Sequence, residues 1–129
     1  MAIELPRKAQ VVIIGGGVVG CSIAYHLAKL GWSDVLLLER KQLTSGTTWH
    51  AAGLIGQLRA SINMTRLARY TAELYRQLEE ETGQATGYRQ CGSISIATNL
   101  ERFEELKRNA SMAKVFGLPV NVISREEIK

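Results

Sequence analysis

Three consecutive glycines, Gly15, Gly16 and Gly17, followed by Gly20, interrupt the chain directly after the apolar run Val11-Val12-Ile13-Ile14. A β-branched run closed by glycines reads as a strand buried on both faces, as in a parallel sheet. From Val18 to Leu30 the residues Val19, Ile23, Ala24, Leu27 and Leu30 recur at helical spacing, and Gly31 supplies the stop. Val35–Leu38 returns to strand character, completing a β-α-β unit. The pattern Gly15-x-Gly17-x-x-Gly20 therefore falls where a strand ends and a helix begins, the context that gives it meaning as a dinucleotide-binding fingerprint. Gly15 permits the tight turn, Gly17 lets backbone approach a pyrophosphate, and Gly20 lets the helix pack closely on the strand. The diphosphate then meets the helix N-terminus at Val18 and Val19, where unpaired N–H groups and the helix dipole favour an anion.

Glu39 closes the second strand at the position, about 20 residues on, where such folds place the acid that binds ribose hydroxyls. Its charge opposes a 2′-phosphate, and the adjacent Arg40 is too little to reverse that. Cys21, in the first helical turn, reads as a small packing residue and is assigned no chemistry. The glycines and the acid do not by themselves choose between NAD and FAD.

Beyond Glu39 the chain runs from Arg40 to Ile62 through Gly, Ser, Thr and Ala without a firm period, with a short helical turn expected within Ala51–Leu58. A longer helix follows. Met64, Leu67, Ala68, Thr71, Leu74, Tyr75 and Leu78 form its expected buried face, Arg69, Glu73, Arg76 and Glu80 point outward, and Gly83 ends it. Ser93–Ala97 alternates Ile94 and Ile96 with small polar residues and predicts a strand. Thr98-Asn99-Leu100-Glu101 predicts a capping box for a helix stopped near Gly117-Leu118-Pro119. Val120–Ile123 predicts another strand, and Ser124-Arg125-Glu126-Glu127 a second capping box. The expected class is α/β: a Rossmann-like β-α-β start with additional helices and strands. Two parallel strands are few for a dinucleotide-binding sheet. Residues 1–129 are therefore expected to be a fragment of a larger dinucleotide-binding protein.

Composition excludes several other classes. With 16 basic and 12 acidic residues intermixed, the net charge of +4 reads as a solvated surface, not a nucleic-acid footprint. No apolar run reaches the roughly 18 residues of a membrane span. The two cysteines, Cys21 and Cys91, lack metal-site spacing and disulfide-scaffold density. Met1–Gln10 carries no signal-peptide pattern, so cytoplasmic residence is expected. No metal site is expected.

One segment carries a resemblance. Glu39-Arg40 followed by Ser45-Gly46-Thr47-Thr48-Trp49-His50-Ala51-Ala52-Gly53-Leu54 is similar to the corresponding stretch of the dimethylglycine and sarcosine dehydrogenases, within the D-amino-acid-oxidase-like flavoprotein superfamily. Glu79-Glu80-Glu81-Thr82-Gly83 and Cys91-Gly92-Ser93-Ile94-Ser95-Ile96-Ala97 also resemble that family. The resemblance implies FAD as cofactor, attached covalently through His50, and makes residues 1–129 the N-terminal part of an FAD-binding domain in a larger two-domain flavoprotein. It extends the expected cofactor contacts to Arg40, to the loop Ser45, Gly46, Thr47 and Thr48, and to Ala52, Gly53 and Leu54. Which loop hydroxyl touches the cofactor is open, because the same residue types also form turns. Trp49 packs near the flavin or in a core.

The implied activity is oxidation of an N-methyl amine by hydride transfer to the flavin, with formaldehyde released or a folate taking the one-carbon unit. The substrate would be a small amine such as dimethylglycine or sarcosine, and the electron acceptor is not specified. No residue stands out as catalytic. Arg59 and Arg89 read as surface charges and His26 as a packing or surface residue. Two alternatives remain: a noncatalytic FAD-binding fragment or subunit, and a related FAD oxidoreductase acting on another amino acid or on glycerol phosphate.

Overall fold

The computed structural model describes residues 6–128 and divides the chain into two compact units, Met1–Leu54 and Ile55–Lys129. The first unit is the β-α-β start. Strand β1 (Val11–Ile14) and strand β2 (Val35–Leu38) pair in parallel, Val11 opposite Val35 through Ile14 opposite Leu38. Helix α1 (Val18–Lys29) connects them. Asp34 extends the ladder at its open end, its carbonyl accepting from Val11 N–H and its carboxylate from Gln10 N–H.

Helix α1 ends as the sequence predicts. Gly31 takes φ +87°, Trp32 N–H donates to the Leu27 carbonyl, and Gly31 N–H donates to that of Ala28. This paired arrangement satisfies carbonyls that the helix end would leave orphaned, and it needs a residue tolerant of the left-handed region. The sheet differs from expectation on one face. Ile13 is buried beneath α1, but Val12 and Ile14, which alternate to the opposite face, are exposed, Ile14 by 87%.

In the second unit, helix α2 (Ile62–Thr82) starts at Ser61, whose hydroxyl accepts from Met64 N–H, and stops at Gly83 with φ +70°. Its buried positions are Thr65 and Ala72, whereas Met64 and Leu67 of the expected face are exposed. The buried stripe is rotated toward small residues. Thr65 is fully buried because its hydroxyl accepts from Arg59 N–H and donates to the Arg59 carbonyl, so its polar atom is satisfied twice by one residue. Two contacts tether the segment after Gly83 to α2: Tyr88 packs on Tyr75, and the Arg76 guanidinium donates to the Gln90 side-chain oxygen.

Helix α3 (Leu100–Val115) buries Ala110 and Ala113. It ends with Gly117 at φ +73° donating to Lys114, and Leu118 N–H donating to Ala113 across 2.8 Å. Leu118, just beyond this stop, is itself buried. Its N-cap is Asn99, whose side-chain oxygen accepts from Arg102 N–H at 2.8 Å, one residue later than the expected Thr98 box. The second box forms as the sequence predicts: Ser124 N–H donates to the Glu127 carboxylate and Glu127 N–H to the Ser124 hydroxyl, opening the short turn Glu126–Ile128.

Neither Ser93–Ala97 nor Val120–Ile123 forms a strand. Both have strand-like patterns, yet a strand exists only through pairing, and among the described residues only β1 and β2 are paired. Among the described residues no helix is long and apolar enough to cross a membrane.

The cap at Asn99 separates two readings of one segment. Asn99→Ala is expected to lower stability by about 1 kcal/mol, while Thr98→Ala stays within about 0.5 kcal/mol. Denaturant midpoints of the two variants check this.

Candidate cofactor site

The glycine turn is a point of unusually close backbone approach. Gly15, at φ +104°, donates its N–H to the Leu38 carbonyl at 2.8 Å and so ties the end of β1 to the end of β2. A Cβ on Gly20 would lie 1.9 Å from the Gly15 carbonyl oxygen, so only glycine lets α1 begin this near the strand. A Cβ on Gly16 would lie 2.5 Å from Leu43 Cδ2 and 3.1 Å from Glu39 Cβ. Gly16, which is not one of the three fingerprint glycines, is thus also closely approached, by the flexible end of Leu43 and by Glu39 Cβ.

Gly16 also joins the turn to the loop after β2. Its N–H donates to Glu39 Oε2 at 2.7 Å, and its carbonyl accepts from Thr44 N–H at 2.8 Å. The Cys21 thiol sits 3.4 Å from that same carbonyl, in keeping with its reading as a packing residue. Glu39 Oε1 accepts from Lys41 N–H at 2.9 Å. These bonds hold the Glu39 carboxyl below its ordinary value of 4.5, Gly16 N–H contributing most, then Lys41 N–H, with smaller help from Arg40. A carboxylate offers about four acceptor sites, so with backbone donors from Gly16, Lys41 and Arg40 it keeps capacity for a further donor such as a hydroxyl.

The loop after β2 is latched at three points: Glu39 on Gly16, Thr44 on Gly16, and Thr48, whose hydroxyl oxygen accepts from Val18 N–H at 2.9 Å. Thr44 takes φ +65°, a costly conformation for a β-branched residue that the surrounding bonds must enforce. The Ser45 hydroxyl is engaged by the Gln42 carbonyl. The one short helical turn of this loop is Thr47–His50, earlier than the expected Ala51–Leu58. Trp49 is 79% exposed, which rules out the core-packing option within this structure, and His50, Ala52, Gly53 and Leu54 are exposed as well.

Of the residues expected to form one site, the structure gathers Gly15, Gly16, Gly17, Val18, Gly20, Glu39 and Thr48 through direct bonds or close approach. Arg40, Ser45, Gly46, Thr47 and His50 lie along the same latched loop, and Val19 is an exposed residue of the first turn of α1. His26 accounts for itself structurally: its Nδ1 lies 2.6 Å from the Ser22 carbonyl and its ring packs edge-on against Tyr25. Two contributions lie outside the sequence expectation, the Lys41 N–H and the left-handed Thr44. Neither has a residue-type signature, because both act through backbone. Among the described residues no group of three metal-ligating side chains occurs.

A glycine cradle at a helix N-terminus beside an ordered carboxylate fits the diphosphate and ribose of an adenine dinucleotide. The profile of the FAD dependent oxidoreductase family matches residues 10–129. The chain belongs to that family. It is 52% identical over 126 residues to the mitochondrial sarcosine dehydrogenase of Homo sapiens, and 47% identical over 125 residues to the mitochondrial dimethylglycine dehydrogenase of Rattus norvegicus. It is also 46% identical over 127 residues to the mitochondrial pyruvate dehydrogenase phosphatase regulatory subunit of Mus musculus. These alignments cover 97–98% of this chain and 14–15% of each relative, so the chain spans about one seventh of their length. Among solved structures, L-proline dehydrogenase from P. horikoshii superposes with a TM-score of 0.87 at 34% identity, covering 97% of this chain and 33% of that one.

Two predictions test the geometry. Gly20→Ala, forced against a carbonyl oxygen, is expected to cost about 3 kcal/mol or more, whereas Gly46→Ala, with open space around it and ordinary φ, stays within about 0.5 kcal/mol. Chemical denaturation of both variants measures the contrast. For Glu39, the lowered pKa means that its stabilisation is complete above the ordinary 4.5 and is lost as pH falls through the native value. Thermal midpoints followed from about pH 6 to about pH 3 are therefore expected to fall more steeply for the native protein than for Glu39→Gln.

Proposed function

We propose that this chain supplies the adenosine-diphosphate half of an FAD site, together with the histidine tether, to an enzyme oxidising N-methyl amines of the sarcosine and dimethylglycine type. In this reading residues 1–129 are part of one FAD-binding domain. The observation that carries it is the latch of Thr48 on Val18. The latch holds the loop against the glycine turn and leaves His50, two residues further along, exposed beside it. The identity to sarcosine and dimethylglycine dehydrogenases supports the substrate class.

Glu39 binds the ribose, the N-terminus of α1 binds the diphosphate, and His50 forms the tether. An imidazole nitrogen is nucleophilic near neutral pH, so His50 would be the residue that holds a covalently attached flavin. Bound FAD would supply the two-electron acceptor for a hydride from the carbon beside the amine nitrogen. Water then hydrolyses the resulting iminium to formaldehyde and the demethylated amine, or a folate accepts the one-carbon unit. The groups that orient the amine are not assigned to this chain.

A second reading rests on the 46% identity to a regulatory subunit. The same cofactor-binding segment would then serve a protein whose role is not amine turnover.

Acid precipitation of the purified full-length protein separates these possibilities. A yellow, fluorescent precipitate is expected, with flavin moving to the supernatant in His50→Ala. Free flavin from the unaltered protein would sink the tether, and no flavin in either fraction would sink cofactor binding. With an artificial electron acceptor, turnover of sarcosine or dimethylglycine but not glycerol phosphate is expected. A flavin-loaded protein inert toward all three supports the regulatory reading.

A further inference from the structure

Along α2 the charged residues Arg69, Glu73 and Arg76 stand four and then three positions apart, the spacing at which opposite charges pair on a helix. On α3 such spacing does produce pairs, Arg102 with Glu105 and Lys107 with Glu104, each at 2.6 Å. On α2 it does not: among the described residues no ion pair joins Glu73 to either arginine. All three instead line a cavity of about 190 Å³ inside the second unit. Its buried lining is apolar, with Ala72 1% and Leu118 8% exposed. The three charged residues are solvent-exposed, so a ligand reaches them directly.

The two guanidinium groups are held differently. Arg76 donates to the Gln90 side-chain oxygen, which orders it and leaves further N–H donors. Arg69 has no hydrogen-bond or ion-pair partner among the described residues, and its Nη1 lies 3.7 Å from where a Cβ of Gly117 would stand. Gly117 sits at φ +73°, a conformation that favours glycine, so this guanidinium lies against a turn that brings no side chain toward it. The cavity therefore presents donors from two cations and acceptors from one carboxylate. Its space amounts to about six water volumes at roughly 30 Å³ each.

We propose that this cavity binds a small α-amino acid as its zwitterion, with Arg69 and Arg76 taking the carboxylate and Glu73 the ammonium. Forked guanidinium donors match the two oxygens of a carboxylate. The Glu73 charge beside them opposes a plain anion, so a ligand that carries its own positive charge is favoured over acetate or phosphate. No aromatic ring is among the described residues that line the cavity, and a fully N-methylated ammonium is recognised by ring faces. A primary or secondary ammonium, in contrast, has N–H donors to give Glu73. The volume suits a ligand of glycine or alanine size. A lone exposed ion pair contributes little, but a zwitterion meets complementary groups at both ends, and Gln90 has already ordered Arg76. All of these groups belong to the second unit, so the site does not depend on whether the glycine turn of the first unit carries flavin.

The test uses the full-length protein in equilibrium dialysis, with glycine, acetate and trimethylglycine as probes. Glycine binding is expected to include one saturable component that Arg69→Gln weakens by about ten- to a hundredfold, the range for losing a hydrogen bond to a charged group. Arg69→Lys, which keeps the charge and loses the fork, is expected to fall between. Trimethylglycine is expected not to displace glycine from this component. Glu73→Gln is expected to weaken glycine and to strengthen acetate, a pair of opposite shifts that a misfolded variant cannot give. Absence of any glycine component sensitive to Arg69→Gln or Glu73→Gln overturns the proposal. Displacement of that component by trimethylglycine as readily as by glycine also overturns it. Parallel losses of glycine and acetate in Glu73→Gln overturn it too, because they mark a disturbed helix instead of a missing ammonium partner.

Discussion

The bond from Gly16 N–H to the Glu39 carboxylate ties the glycine turn to the loop that follows β2. It is short, charge-assisted and spans the two strands of the sheet, so it fixes the carboxylate relative to the turn before any ribose is present. Because Gly16 must come this near, it carries no side chain, and because it carries none, Leu43 and Thr44 can close over it. The lowered pKa of Glu39 is the electrostatic expression of the same contact. Remove the carboxylate and the loop loses the anchor at its start; the Thr44 and Thr48 latches then hold a segment with one free end.

The strain in the loop fits this scheme. Thr44 sits at φ +65° without the usual glycine, a conformation that costs on the order of 1 kcal/mol or more and survives only where neighbours impose it. Its N–H on the Gly16 carbonyl is that imposition. An unstrained glycine there would relax the turn but leave a longer flexible stretch ahead of Thr48 and His50, with more entropy to lose on binding. A β-branched residue held left-handed keeps the loop rigid directly ahead of the two residues that depend on its path.

Features that depend on a few neighbouring residues are legible in the sequence. The glycine turn, the acid at the strand end, the stops at Gly31, Gly83 and Gly117, and the Ser124–Glu127 box all follow from local backbone chemistry. The features that differ depend on partners distant in sequence. Ser93–Ala97 and Val120–Ile123 have strand patterns but no pairing partner among the described residues, and pairing is what a strand consists of. The α2 face departs from its hydrophobic pattern for a related reason. Leu67 and Met64 outrank Thr65 in hydrophobicity, but Thr65 finds both a donor and an acceptor on Arg59, so its hydroxyl is buried without the penalty of an unpaired polar group. At the site, the glycines are legible as types, whereas the bond from Val18 N–H to the Thr48 hydroxyl joins residues thirty positions apart and has no local signature.

The exposed face of the sheet shows how this binding element relates to folding. Parallel strands are normally covered on both faces, and the unbroken apolar run of β1 reads that way. Ile13 meets the requirement under α1, yet Val12 and Ile14 face solvent. Hydrogen bonds and glycine contacts define the turn regardless, since every latch lies within Gly15–Thr48. The polar closure of the turn and the apolar covering of the sheet rest on different residues. The geometry comes from short-range polar closure around Gly16, and the apolar burial that stabilises a sheet of this kind is a separate condition that β1 meets on one face.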